Sequence, residues 1–129
     1  MKFAIQVNTS PYYSNAGQSA YKFITTALKT GHEVFRVFFY HEGIYHAFGH
    51  ATPPDDEINF VQQWGDLAKN YHIDLVVCIS AAQRRGLLCS DEAVRLGKVD
   101  IDLADGFRIS GLGQLVEATL LADRFIVFG

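Results

Sequence analysis

The spacing of apolar side chains changes period several times along the chain, and each change marks an element. Phe3, Ile5 and Val7 alternate with other residues over 2–8 and predict a strand near the first residue. After the turn-rich TSPYYSN, Ala20, Phe23, Ile24, Ala27 and Leu28 fall on one face of a helix opening at Ala16, with Ser14 or Asn15 as cap and Gly31 as terminator. Residues 33–40, EVFRVFFY, are almost continuously apolar, which predicts a strand covered on both faces and therefore parallel pairing. Residues 41–51, HEGIYHAFGHA, keep neither period and read as a loop. Thr52 then offers a cap, the prolines a first turn, and Asp55, Asp56 and Glu57 charges that complement a helix dipole. Ile58, Val61, Trp64, Ala68 and Tyr71 give this second helix its buried stripe.

The run Leu75, Val76, Val77, Cys78, Ile79 predicts a third strand buried on both faces, with Cys78 at or near its C-terminal end. Ser80 is positioned to cap a short helix over 81–85, which Gly86 stops. A further short helix opens at Ser90, Asp91 and Glu92 and ends at Gly97, ahead of the charged loop KVDIDLADG and a fourth strand over 107–110. Gly111, Leu112 and Gly113 open a helix with Leu112, Leu115, Val116, Thr119 and Leu120 on one side, and residues 123–128 complete the sheet. Strands alternating with helices predict one α/β domain over residues 1–129, a parallel sheet with helices on both faces. Chemistry in such sheets collects beyond the strand C-termini. The loop after Val7, the HEGIYH loop, the Cys78 turn and the start of the last long helix share that edge.

A chain of 129 residues that is 49% hydrophobic suits a single domain with a real core. Its net charge of −3 and pI near 5.9 carry no basic footprint for nucleic acid or an anionic membrane. The absence of a long apolar run or an N-terminal signal pattern, with only Cys78 and Cys89 as thiols, leads us to expect a soluble protein of the reducing cytoplasm. Ten Phe and six Tyr hint at a buried subunit interface, although aromatics also fill cores.

Cys78 is the candidate nucleophile. A strand-to-helix turn points backbone N–H groups towards it, and Arg84 and Arg85 follow within two turns. Both features favour the thiolate, the reactive form of cysteine, with Ser80, Arg84 and Arg85 as supporting residues. The competing reading makes Cys78 a small core hydrophobe and the arginines solvated helix charges. Cys89 forms neither a CxxC pair nor a zinc knuckle with Cys78, and reads as a half-buried loop cysteine or as a resolving thiol. Gly111-Leu112-Gly113 is half of a dinucleotide fingerprint whose third glycine position is Val116, and helix packing accounts for it. The hydroxyls of Thr9, Ser10 and Ser14 suit a phosphate at the first helix or a simple cap. His41, His46 and His50 lack a carboxylate or thiol at ligand spacing and read as surface or interface histidines. No Ser-His-Asp order, paired-carboxylate site or P-loop is visible.

Six blocks in order, MKFAIQVN, HEVFRVFFYHEG, TPPDDE, VVCISAAQRRG, FRISGLGQLVEA and DRFIVFG, resemble the DsrE/TusD sulfur-relay family over essentially the whole chain. The resemblance implies a three-layer, DsrE-like α/β/α domain on a parallel, flavodoxin-like five-stranded sheet, with Cys78 carrying sulfane sulfur as a persulfide. It further implies a heterohexamer with two related small subunits, DsrF/TusC-like and DsrH/TusB-like, a TusA-like sulfur donor and a DsrC/TusE-like acceptor, with no cofactor. Cys89 has no counterpart in that pattern. Two branches follow, DsrE-type oxidation of stored sulfur and TusD-type synthesis of 2-thiouridine at the tRNA wobble position, and AAQRRG, GLGQLVEA and TPPDDE are closer to the DsrE side. A non-catalytic assembly subunit and a flavin or nucleotide binder are the alternatives. The relay reading expects the Cys78 thiol to be open to a visiting protein.

Overall fold

The computed structural model describes residues 1–98 and 102–129, so part of the charged loop predicted over 98–106 lies outside the described residues. Five strands, β1 (Lys2–Val7), β2 (Glu33–Phe39), β3 (Asp74–Cys78), β4 (Phe107–Ser110) and β5 (Arg124–Phe128), pair in parallel in the order β4-β3-β2-β1-β5. Read from the β5 edge this is 5-1-2-3-4, against 2-1-3-4-5 in flavodoxin. The strand outside β1 is thus the last of the chain rather than the second, a choice no local pattern encodes.

Partners in a parallel ladder share a face, so the register assigns the sheet's two sides. Phe3, Ile5, Val7, Val37 and Phe39 face α1 (Ala16–Lys29) and α2 (Phe60–Tyr71), where Phe3 meets Phe23 edge-on at 5.2 Å and Phe39 meets Trp64 at 5.3 Å. Arg36, Phe38, Val76 and Cys78 face the other way, towards the side that α5 (Gly113–Leu121) covers. Two short helices, α3 (Ile79–Arg84) and α4 (Ser90–Arg95), fill the β3–β4 connection. Among the described residues no helix is long and apolar enough to cross a membrane.

Four local expectations are corrected by the structure. Residues 41–51 are not all loop, because His41–Ala47 winds into a 3-10 turn whose Ile44, His46 and Ala47 are buried. The second helix opens at Phe60 and not after Thr52: the Asn59 side chain accepts from the Gln62 N–H at 3.1 Å and caps it there. Pro53 and Pro54, which restrict the residues before them to extended backbone, leave Asp55, Asp56 and Glu57 in a turn ahead of the helix. Its buried stripe is consequently Phe60, Trp64, Leu67 and Ala68, while Ile58 and Tyr71 are exposed.

The fourth correction concerns α5. Of its expected apolar face, Leu112, Val116 and Leu120 are exposed, and within the helix only Ala118 is buried. The cause is Arg36, the one charge inside the apolar run of β2, which is 8% exposed. A guanidinium held that far from water needs acceptors. It donates to Asp74 at 2.7 Å, to the Gln114 carbonyl at 2.9 Å and to Glu117 at 2.9 Å. Gln114, Leu115 and Ala118 therefore lie on the inward side of α5, with the half-exposed Glu117 at its rim reaching Arg36, while Leu112, Val116 and Leu120 turn out. None of the phenylalanines is exposed, so the aromatics mainly serve the core and the exposed apolar surface of α5 is aliphatic.

Candidate active site at the end of strand β3

Cys78 closes β3 and is itself the N-cap residue of α3, with extended backbone at φ −63° and ψ 123°. The apolar run makes the strand, and Gly86, at φ 85°, lets the chain leave the helix in the left-handed region that glycine adopts without strain. Ser80 does not cap α3: it is the second residue of the helix and exposed. α3 thus begins two residues earlier than the sequence suggests, with Cys78 in the N-cap position and its side chain making no cap hydrogen bond.

The arginines diverge. Arg85 donates to Glu42 at 3.1 Å and to the Ala81 carbonyl at 3.0 Å, which commits its guanidinium to fastening α3 to the 3-10 turn. Arg84 is exposed and makes no ion pair among the described residues. Cys89 is the half-buried N-cap residue of α4, and both cysteines are free thiols.

The expectation of an open thiol is not met in the single chain, where Cys78 is 1% exposed among Val76, Val77, Ala81 and Ala82 of the core cluster. Its flanks are different. Ile79 next in sequence, Ser110 across the β3–β4 ladder and Gly111 beyond it are half-buried, so the thiol lies near the surface. The main cleft, about 830 Å³, runs between α2 and residues 102–106, and an apolar groove of about 560 Å³ beside Pro11, Tyr12, Tyr45 and Phe48 adjoins it; neither is lined by Cys78.

The histidines are not alike. His46, expected at the surface, is fully buried: its Nδ1 accepts from the Trp64 indole N–H at 3.0 Å and its Nε2 faces the Thr9 carbonyl at 3.1 Å. Burial holds its pKa down at about 4. His50 pairs with Asp102 at 2.8 Å, and His41 stacks on Tyr40 at 4.1 Å. Among the described residues no group of three or more such side chains is arranged to hold a metal. At the phosphate candidate, Ser14 donates to Thr9 and accepts from the Ala16 N–H at 3.2 Å, while Asn15 holds the N-cap position of α1 without a side-chain cap bond. Ser110 and the His46–Trp64 pair had no sequence signal, because both depend on which segments become neighbours.

Fold and site together define a class: a small parallel α/β domain with a cysteine at the carboxyl end of an inner strand, where a helix begins. Comparison with known proteins narrows it. The chain belongs to the DsrE/DsrF-like family, whose model matches residues 1–128. It is 53% identical over 129 residues to "Putative sulfurtransferase DsrE" of Allochromatium vinosum, covering 100% of this chain and 99% of the relative. In fold it is similar to the crystal structure of the ychN protein from E. coli, with a TM-score of 0.77, 20% identity and 99% of each chain covered. It is also similar to the protein of unknown function MTH1491 from Methanobacterium thermoautotrophicum, with a TM-score of 0.65, 12% identity and coverage of 98% of this chain and 97% of the other.

Proposed function

We propose that this chain is a sulfurtransferase that carries sulfane sulfur as a persulfide on Cys78. The observation that carries the reading is the thiol's position at the N-cap of α3, in a chain matched end to end by a relative named as a sulfurtransferase. In the reaction the Cys78 thiolate attacks the outer sulfur of a donor persulfide; a new S–S bond forms, the donor's S–S bond breaks, and the donor leaves as a thiolate. A second exchange of the same kind hands the outer sulfur to an acceptor thiolate and regenerates Cys78. No metal or organic cofactor takes part, and no net oxidation occurs.

Because Cys78 is closed in the single chain, loading requires a local opening at its half-buried rim of Ile79, Ser110 and Gly111. Arg84 supplies a positive charge for an anionic donor, Arg85 holds the turn through Glu42, and Ser80 lines the exposed start of α3. The aliphatic surface of α5, with Leu112, Val116 and Leu120 exposed, suits a seat for related small subunits of the DsrF/TusC and DsrH/TusB kinds in a heterohexamer. In that assembly a TusA-like protein is the donor and a DsrC/TusE-like protein the acceptor, in the cytoplasm. Similarity to a DsrE protein favours dissimilatory sulfur oxidation over wobble 2-thiouridine synthesis.

The test is reaction with a sulfane-sulfur donor followed by intact mass. Wild type and Cys89→Ala gain one or more sulfur atoms and Cys78→Ala gains none. The near-complete burial of Cys78 favours one competing reading, a non-catalytic assembly subunit. Under that reading the wild-type chain takes up no sulfur, alone or with partners bound.

A further inference from the structure

We propose that Ser110 is the residue that recognises the outer sulfur of the Cys78 persulfide, by donating its hydroxyl hydrogen to the terminal perthiolate. This inference rests on the persulfide reading of Cys78 and adds to it a dedicated anion-binding group. Cys78 and Ser110 are register partners at the ends of β3 and β4, so their side chains leave the same face of the sheet from strands about 4.8 Å apart. Among the described residues the Ser110 hydroxyl makes no hydrogen bond, and neither does the resting Cys78 thiol. The half-buried Ser110 hydroxyl is therefore free to donate to an atom placed between the two strand ends.

The persulfide supplies that atom. A terminal sulfur stands about 2.05 Å beyond the cysteine sulfur, which carries the negative charge outward from the buried position of the thiol. It has little room inward, where Val76, Ala81 and Ala82 are packed in the core cluster. The Ser110 side is less closed: Ser110, Gly111 and Ile79 are all half-buried, whereas Cys78 itself is 1% exposed. A perthiolate there gains a charge-assisted hydrogen bond that the bare thiol does not make. Ser110 therefore distinguishes the loaded protein from the empty one and slows loss of the outer sulfur to solvent nucleophiles. When an acceptor thiolate attacks the outer sulfur, the S–S bond breaks, the electron pair stays on the Cys78 sulfur, and the Ser110 contact is released with the departing atom.

The experiment loads wild type, Ser110→Ala, Ser110→Thr and Cys78→Ala with inorganic polysulfide. It reads sulfur content by intact mass, the ionisation of the bound perthiolate by near-ultraviolet absorbance against pH, and its lifetime in the presence of cyanide. Ser110→Ala is expected still to take up sulfur on Cys78, but less of it at limiting polysulfide, because its loaded state has lost one hydrogen bond. Its perthiolate then titrates about one pH unit higher and is lost about tenfold faster, the effect of removing one hydrogen bond to a charged group. Ser110→Thr, which keeps the hydroxyl on a strand-favouring residue, restores both values. A loaded Ser110→Ala protein with the wild-type titration and lifetime overturns the assignment of Ser110 while leaving the Cys78 reading intact. A wild-type chain that takes up no sulfur, or a Cys78→Ala chain that does, overturns both.

Discussion

The indole N–H of Trp64 donates to Nδ1 of His46 at 3.0 Å, inside the core. That bond requires Nδ1 to be unprotonated, so the ring is neutral with its hydrogen on Nε2, directed at the Thr9 carbonyl. One imidazole thereby ties the loop after β1, the 3-10 turn and α2 together. Its pKa is lowered to about 4 by burial, below that of a histidine in the unfolded chain. The folded state therefore binds the proton less well than the unfolded state. Stability from this site is complete above about pH 6.5 and is lost as pH falls towards 4. Urea unfolding at a series of pH values is expected to show a loss of about 2 kcal/mol between about pH 6.5 and 5. His46→Gln flattens that window; a wild-type curve already flat there would remove His46 as the acid-labile group.

Arg36 and Asp74 make a second internal relationship, this time setting how α5 sits. Burial opposes ionisation of Asp74, but hydrogen bonds from Arg108 and Arg36 outweigh it and hold the carboxyl below its ordinary value. Its contribution is therefore present at neutral pH and disappears as acid protonates it. Asp74→Asn is expected to cost about 2 kcal/mol, less than for a fully buried pair because Asp74 is partly in water. Arg108→Ala, which removes a half-exposed partner of the same carboxylate, costs less than about 1 kcal/mol. Hydrogen exchange supplies the structural readout: in Asp74→Asn the amides of α5 lose protection before those of β1 and β2. Equal losses in the two variants would contradict the assignment of Arg36 as the buried charge that matters.

The outward face of α5 gives a prediction about assembly. Val116 is 57% and Leu120 79% exposed, so replacing either by Glu removes little buried area. Each substitution is expected to leave stability of the single chain within about 0.5 kcal/mol of wild type. Under the proposed heterohexamer, sedimentation of the subunit mixture then shows Val116→Glu/Leu120→Glu failing to join the complex while remaining folded. Full assembly of that double variant would move the seam elsewhere on the molecule.

Much of the fold is written in local periodicity. β1, β2, β3, β4 and α1 lie close to where the alternation and stripe patterns put them, since burial on one or both faces leaves a direct imprint on sequence. α2 slipped because two cap signals competed: Thr52 preceded the prolines, but the Asn59 side chain reached the N–H that needed it. α5 kept its position but only Leu115 of the expected apolar face packs on the core, because the helical pattern reports which side is apolar and not whether all of it meets the sheet. Arg36, lying beneath the helix, decided the orientation.

What the sequence determined by itself was the class of architecture and the place of the proposed nucleophile: an apolar strand ending in Cys78, followed at once by a helix, is a strictly local arrangement. What tertiary structure alone decided was which groups surround that sulfur. Strand order brings Ser110 beside Cys78 from 32 residues away, sends Arg85 to Glu42, and closes the thiol to solvent. Neighbours of that kind depend on how segments distant along the chain dock, and no window of sequence carries them.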